Sequence, residues 1–420
     1  MKDIKGDENV KCRNILLYIL LISLFVCSIS SAQQLRPTIT FMHYLSVETM
    51  EMLMPLIERF EQENNINVEI ITVLSSEVVT KLQVMAVTDT MPDVMRLGSE
   101  YINLVEADPF ADFTPYVQRD GINMDEYYPP ILSALQYDDK LIALPTDIST
   151  YAMFYNMDMF DATGLSYPTH SWAAAAWTWD DLIQHAKKLT SAPNASPRVY
   201  GIHTLSPISM WPWWWNSDWL DIPARKTLAQ APNTIQALQN ITDAYLVHNV
   251  MGGSFPAHTA AMVVNLNAAI PNYTNVVQAR WDVAPLPLGA QRRTILYPNG
   301  LYMAKSSQEK EAAWQFVKFI TTQVESARIW STALGRIPAM RRLGAAYIQM
   351  QKTIAPNVDH QVFLEALEYS QYPTTRMVPA ALQVENALNT IFTKMRTGTV
   401  SVPAGAAEMD LVVKALLNWE

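Results

Sequence analysis

The sequence predicts an α/β protein organised as two domains. Three observations lead there. A strand–helix–strand–helix–strand order runs through the first part of the chain after residue 37. The length of 420 residues is more than one ordinary hydrophobic core accommodates. Half of the residues are apolar and 17% are charged, a composition that packs rather than stays disordered. The formal net charge of -10 argues against nucleic acid as a partner. A sparsely charged, aromatic-rich chain suits a neutral ligand better than a polyanion.

Residues 1–32 stand apart. Lys11 and Arg13 precede the apolar run Ile15 to Ile29, and Ser30-Ser31-Ala32 supplies small residues at cleavage spacing, so a secretory signal peptide is expected. The apolar run is short for a membrane span. Both cysteines, Cys12 and Cys27, fall in this leader. Lipid attachment at Cys27 is not expected, because bulky Phe25 and Val26 precede it. Cleavage before Gln33 leaves a mature chain without thiols, whose stability must come from packing. No later stretch is long and apolar enough to span a membrane.

Thr38 to Tyr44 reads as a strand, β-branched and aromatic-rich. Leu53, Leu56, Ile57 and Phe60 then recur at helical spacing, with Pro55 predicting a helix start or a kink. Asn67 to Leu74 is a second strand, Val78 to Val87 a helix, and Asp93-Val94-Met95 opens a third strand. Such units build a parallel sheet, and ligands sit beyond the carboxyl ends of its strands. The loops His43-Tyr44-Leu45-Ser46 and Leu97-Gly98-Ser99-Glu100 therefore border the expected cleft.

Further on, Lys140 to Pro145 and Tyr151 to Tyr155 read as two short strands. Thr178 with Asp181 three residues on predicts a capped helix start. Val199 to Leu205 and Ala260 to Asn265 read as strands, with Thr234 to His248 helical between them. Trp281 to Leu288 is extended and holds two prolines, as where a chain leaves one domain for another. Leu301 to Ala304 is a strand and Glu309 to Ile320 an amphipathic helix. From Ala339 the chain is mostly helical, broken near Tyr372-Pro373 and at Thr397 to Pro403.

One stretch is out of proportion. Met210 to Trp219 holds five of the twelve tryptophans, at 211, 213, 214, 215 and 219. Three consecutive indoles cannot all face one core on a helix or a strand. At least one is expected to present its face outward, where it would suit a ligand with flat apolar faces and a polar rim, such as a sugar ring. Filling a core is the competing use of the same residues.

In order along the chain, LIERFEQENNINVEI (56–70), MPDVMRL (91–97), KLIALPTDISTYAMFYNMDMF (140–160), TWDDLIQHAKKLT (178–190), AAMVV (260–264), WDVAPLPLG (281–289), GLYMAKSSQEKEAAWQFVKFI (300–320) and LGRIP (334–338) form a set. Each is weak alone. Together, behind a signal peptide, they resemble the extracellular solute-binding proteins of sugar ABC importers, the family that includes maltodextrin- and glycerol-phosphate-binding proteins. The resemblance implies a periplasmic-binding-protein fold: two α/β lobes, a hinge crossed three times and a ligand cleft between the lobes. Crossings are expected near Leu144-Pro145, Ala284-Pro287 and Gly335-Pro338. This makes residues 33–144 with 285–335 one lobe, and 145–284 with 336–420 the other. It implies a periplasmic monomer that carries a sugar, a di- or oligosaccharide, to permease subunits in the inner membrane, without cofactor or metal. Relatives often place a Gly and then a stacking Trp after the strand AAMVVN. Here Leu266-Asn267 follows, so the tryptophan stretch would have to compensate.

Sugar sites combine aromatic faces with planar hydrogen-bonding groups. The aromatic candidates are Tyr44, Trp211, Trp213, Trp214 and Tyr372. The polar candidates are His43 and Ser99, Glu100, Asp147, Asn265, Asn267, Arg336 and Arg376. Of the tryptophans, Trp211 to Trp214 are expected at the ligand, and Trp215 and Trp219 in the core. Turn or cap roles compete for each Asn and Asp, and ion pairs for each Arg. A polyol derivative such as a glycerol phosphate is the alternative ligand. A secreted carbohydrate-active enzyme is the alternative of another class. For the enzyme, no carboxylate pair suggests itself; Asp138-Asp139 and Asp180-Asp181 read as a turn and a helix start. HExxH, GxSxG, Walker and DxDxDG patterns do not occur.

Overall fold

The computed structural model describes residues 36–98, 102 and 104–420. The expected leader, with Cys12 and Cys27, lies outside the described residues, as do Ser99 and Glu100.

The first lobe begins as the sequence predicts. Strands β1 (Thr38–His43), β2 (Asn67–Thr72) and β3 (Val94–Leu97) form a parallel sheet with β1 in the middle. Helix α1 (Val47–Asn64) follows β1 and α2 (Val78–Val87) follows β2. The Ser46 hydroxyl caps α1 by accepting from the Thr49 amide. Pro55 neither starts nor ends this helix, which runs through it. The ring sits on the exposed face, where the carbonyl of Glu51 that loses its partner is free to bond water. The core beneath is aromatic. The Phe316 ring lies 5.2 Å from Phe41 and 5.0 Å from Phe60, carried there by α5 (Lys310–Thr322) from later in the chain.

A short hairpin, β4 (Gln136–Tyr137) and β5 (Lys140–Leu141), leads into β6 (Ala143–Asn156). Two strands were expected, Lys140 to Pro145 and Tyr151 to Tyr155; from Ala143 on the fold has one of 14 residues. Pro145 is tolerated because β6 itself bulges beside it, with Thr146 as the extra residue between Pro145, opposite Gly300, and Asp147, opposite Asn299. Helix α3 (Trp179–Leu189) starts at the expected capping box of Thr178 and Asp181. Strand β7 (Tyr200–Ile202), the hairpin β8 (Leu220–Asp221) and β9 (Lys226–Thr227), helix α4 (Pro232–Leu246), β10 (Ala260–Leu266) and β11 (Trp281–Ala284) complete most of the second lobe. Helices α6 (Ala381–Arg396) and α7 (Val402–Leu417) close it. Its core gathers around Phe154, 5.2 Å from Tyr273 and 5.7 Å from Trp281.

Strands β12 (Thr294–Met303) and β13 (Ile337–Pro338) tie the lobes together. The sheet path is β2-β1-β3-β12-β6-β10-β7. Strand β12 pairs with β6 from Leu296 to Tyr302, and its residues Gly300 to Met303 also pair with β3 on the other side. Strand β13 pairs with β6 at Asp147 and Ile148. The lobes are thus joined by three adjacent strands. One crossing differs from expectation. Trp281–Ala284 pairs with residues 153–156 of β6, the Leu288 amide donates to the Trp177 carbonyl, and the Ala290 amide to that of Trp214. The proline run therefore stays on the second lobe, and the chain leaves it along β12.

Candidate functional site: the hinge floor and the groove between the lobes

The floor is organised by one carboxylate. Asp147 is fully buried on β6. Arg96 of β3 donates from Nη2 to both of its oxygens, at 3.1 and 3.0 Å. The Thr146 hydroxyl donates at 2.8 Å and the Asn299 amide, from β12, at 2.9 Å. Arg336, next to β13, approaches at 3.4 Å. Burial alone would push this acid up. The charges of Arg96 and then Arg336, with the Thr146 and Arg96 bonds, outweigh it and hold the carboxyl below its ordinary value. The guanidinium of Arg96 lies 5.7 Å from the centre of the Tyr44 ring.

His43 closes the end of β1. Its Nδ1 accepts from the Leu45 amide at 3.1 Å, which leaves the proton on Nε2 to donate to the Thr72 hydroxyl at 3.2 Å. Burial first, and the charge of Arg96 second, lower its pKa to about 4. The imidazole is neutral at physiological pH. Its N–H and lone pair are both used within the protein.

A second cluster lies toward the other lobe. Arg376 forms a forked pair with Glu385, from Nε at 3.0 Å and Nη2 at 2.6 Å, and its guanidinium lies 5.2 Å from the Tyr297 ring centre. Tyr297 meets Tyr151 edge to face at 6.1 Å. Burial raises the Tyr151 hydroxyl to about 12, so it stays protonated as a donor. Tyr372 is buried nearby in the chain.

Between the lobes runs a cavity of about 520 Å³. The first lobe supplies Ile102 and the hairpin residues Gln136, Tyr137 and Asp138. Leu220 to Pro223, Leu228, Thr374 and Met377 of the second lobe face them. Under Thr374 sits Asp218, whose carboxylate accepts from the Thr374 hydroxyl at 2.6 Å and whose pKa burial raises.

The structure gathers His43, Tyr44, Asp147 and Arg336 at the hinge and sets Arg376 beside Tyr297. Among the described residues, it ties Asn265, Asn267 and the tryptophans into the second lobe instead. Asn265 donates to the Tyr273 hydroxyl at 2.8 Å, and Asn267 accepts from the Thr150 amide at 3.0 Å, so both are tied into the second lobe. The tryptophan stretch does not divide as expected: Trp219 is in the core as expected, but Trp211, Trp213 and Trp214 are packed there too. Residues Ile208–Trp215 form a 3₁₀ turn run in which every residue is buried. Trp211, Trp213 and Trp214 are 5%, 3% and 1% exposed, while Trp215 is the most exposed of the five at 9%. Three residues per turn fan the indoles in three directions, and each direction is covered. Trp211 lies edge-on to Phe392 of α6 at 4.5 Å and donates to the Leu205 carbonyl. Trp214 donates to the Arg293 carbonyl, and Trp215 meets Trp179 of α3 at 5.1 Å. Gly289 fits here because its backbone lies against the Trp214 carbonyl, where a Cβ would clash.

The profile of one family, described as bacterial extracellular solute-binding protein, matches residues 46–325, well over half of the chain. The chain belongs to this family. Solved structures agree on the fold of this solute-binding protein. An ABC substrate-binding protein from Listeria monocytogenes in complex with cycloalternan superposes with a TM-score of 0.76 at 23% identity, covering 92% of this chain and 100% of that one. The cyclic α-maltosyl-1,6-maltose binding protein from Arthrobacter globiformis gives 0.76 at 16% identity, covering 91% and 99%. The periplasmic-binding-protein fold, with two α/β lobes, a three-strand hinge and a cleft between, is therefore that of this chain. The arabinooligosaccharide-binding protein of Bacillus subtilis is 25% identical over 245 residues, 53% of this chain. The match spans 54% of that relative's length. Family and neighbours are binding proteins rather than enzymes.

Sequence reasoning missed several residues of this solute-binding protein's site. Arg96 had a signal: a lone charge in a strand whose four residues are all buried. Tyr297, Asn299, Glu385 and the hairpin residue Tyr137 had none, because only folding sets Asn299 on Asp147, Tyr297 and Glu385 around Arg376, and Tyr137 in the cavity wall.

Proposed function

We propose that the protein is the substrate-binding component of an ABC importer that captures a sugar, a di- or oligosaccharide, between its lobes and delivers it to permease subunits in the inner membrane. The observation that carries this reading is the cavity of about 520 Å³ whose walls come from both lobes, the geometry a closing clamp requires. Three adjacent hinge strands permit closure, and the sugars named for the related proteins supply the ligand class. Tyr44, Arg336, Arg376 and Tyr372 are the contacts we assign to the ligand side. His43 and Asp147 hold the floor beneath it, and Ser99 and Glu100, outside the described residues, stay as candidates from the sequence. The residues perform binding and no catalysis. A leader over residues 1–32 would direct the chain to the periplasm, where it acts as a monomer.

Titration calorimetry against a saccharide panel tests the reading. Saturable binding of a sugar, with one ligand per chain, is expected. Binding of glycerol phosphate or a free polyol, with every sugar silent, would replace the ligand class. Turnover of a glycoside would replace the whole reading.

A further inference from the structure

We infer that Tyr137 and Trp419 form a distal subsite that takes an additional unit of a linear oligosaccharide, one at each side of the inter-lobe groove. The inference rests on the sugar-binding reading and deepens it. The cavity between the lobes does not end at the hairpin of the second lobe. A second cavity of about 510 Å³ adjoins it and shares Tyr137, Ile222 and Met377 with it. The groove continues past Gln383 to the last turn of α7 and the residues after it. A monosaccharide would leave such a run-on groove mostly empty, whereas a chain of sugars follows it.

Trp419 is held in place at the far end. Asn418 ends α7 in a left-handed conformation at φ 51, which turns the chain back, and the Trp419 amide donates to the Lys414 carbonyl at 3.0 Å. The indole is half-buried against the core cluster and also lines the second cavity. Tyr137, from the opposite lobe, is likewise half-buried and lines both cavities. The five tryptophans of residues 211–219 are packed inside the lobe. The aromatic faces of this groove therefore come from Tyr137 and Trp419, with Gln383 and Arg225 as polar neighbours able to bond hydroxyls. Because the pair spans the two lobes, a longer ligand also bridges them.

Calorimetry with maltooligosaccharides and arabinooligosaccharides, from di- to pentasaccharide, tests this. Wild-type affinity should rise by roughly tenfold as the bound series lengthens, the scale of one aromatic contact. Trp419→Ala should abolish that gain while leaving disaccharide affinity unchanged, and Trp419→Phe should restore most of it. Tyr137→Ala, on the other lobe, also touches the first cavity, so its disaccharide affinity is free to change, but it should likewise remove the gain with length, and the test survives if one variant folds poorly. Equal affinity at all lengths in the wild type, or an equal loss at all lengths in both variants, overturns the subsite and leaves the sugar-binding reading standing. Silence of the wild type toward every saccharide overturns that reading, and the subsite with it.

Discussion

Arg336 approaches Asp147 at 3.4 Å, from the third hinge strand to the first, on a carboxylate that Arg96 and Asn299 already hold from β3 and β12. One buried anion is thereby bonded to every strand that crosses between the lobes and to the first-lobe strand beside them. The two arginines are not equivalent. The Arg96 side chain is fully enclosed, whereas that of Arg336 is 30% exposed and faces the solvent side of the hinge.

Asp147→Asn keeps the shape of the side chain but leaves Arg96 as an uncompensated buried charge. Removing one partner of such a pair costs about 3–5 kcal/mol. Urea unfolding should show a loss on that scale. Arg336→Ala should cost under about 1 kcal/mol, since water screens its pair. Similar losses for the two variants would mean that Arg96 does not depend on Asp147.

Stability should fall on mild acidification. In the unfolded chain His43 takes a proton near its ordinary value of 6.5, but the folded imidazole resists until about 4. Its contribution is therefore fully present above pH 6.5 and is lost progressively as pH drops toward 4. His170 works in the opposite sense. Its bond to Asp282, first, and then the charges of Asp282 and Asp359 raise its pKa against burial, so its contribution is present below 6.5 and lost as pH rises through the folded value. Melting temperatures from pH 7 to 4 should decline in the wild type and decline less in His43→Gln. A His43→Gln profile as steep as the wild type's would remove His43 as the cause.

Trp211→Ala should behave as a core deletion. The indole is buried against Phe392 and its N–H is bonded, so a cavity and an orphaned Leu205 carbonyl result. A cost of about 3–5 kcal/mol is expected. A lowered melting temperature with unchanged sugar affinity is the expected pair of results. Weakened affinity at unchanged stability would return this indole to the ligand.

Arg292 is enclosed by backbone carbonyls. Its guanidinium donates to Trp172, Ala174, Ala176 and Trp177 at 2.7 to 3.1 Å, and to Ser171 at 3.4 Å. It is the scaffold of the segment SWAAAAW, which has few bonds of its own. Arg292→Lys keeps the charge and loses the fork. Hydrogen exchange in residues 171–177 should rise sharply while the first lobe is unchanged. Unaltered protection there would show that the loop holds itself.

The first lobe was nearly complete in the sequence. Its strands alternate with helices of regular period, and local rules hold: Val78 to Val87 is helical over the predicted range. The second lobe was legible in its elements but not in how they join. Pro145 looked like a strand end, but β6 bulges at the adjacent Thr146 and resumes pairing with β12, a partner far along the chain that no local pattern announces. The tryptophan stretch misled for a related reason. Three neighbouring indoles exceed what one helix or strand can bury, but not what a 3₁₀ run between α3, α4 and α6 can enclose. Of the candidate site, His43, Asp147 and Arg336 were singled out from motif and loop position, and the fold sets all three at the hinge. Tyr137 reaches the cavity and Tyr297 reaches Arg376 only through long-range contacts, and the sequence around them carries no pattern that marks them.

Strand β6 has a thermodynamic consequence. Its first residues pair with β12 in the sheet of one lobe, and its last pair with β10 and β11 in the other, without a break. Neither lobe can melt alone without stripping the central strand from its neighbour. The protein should therefore absorb heat in a single transition, with calorimetric and van't Hoff enthalpies in agreement. A ligand that bridges the lobes would move that one peak rather than split it.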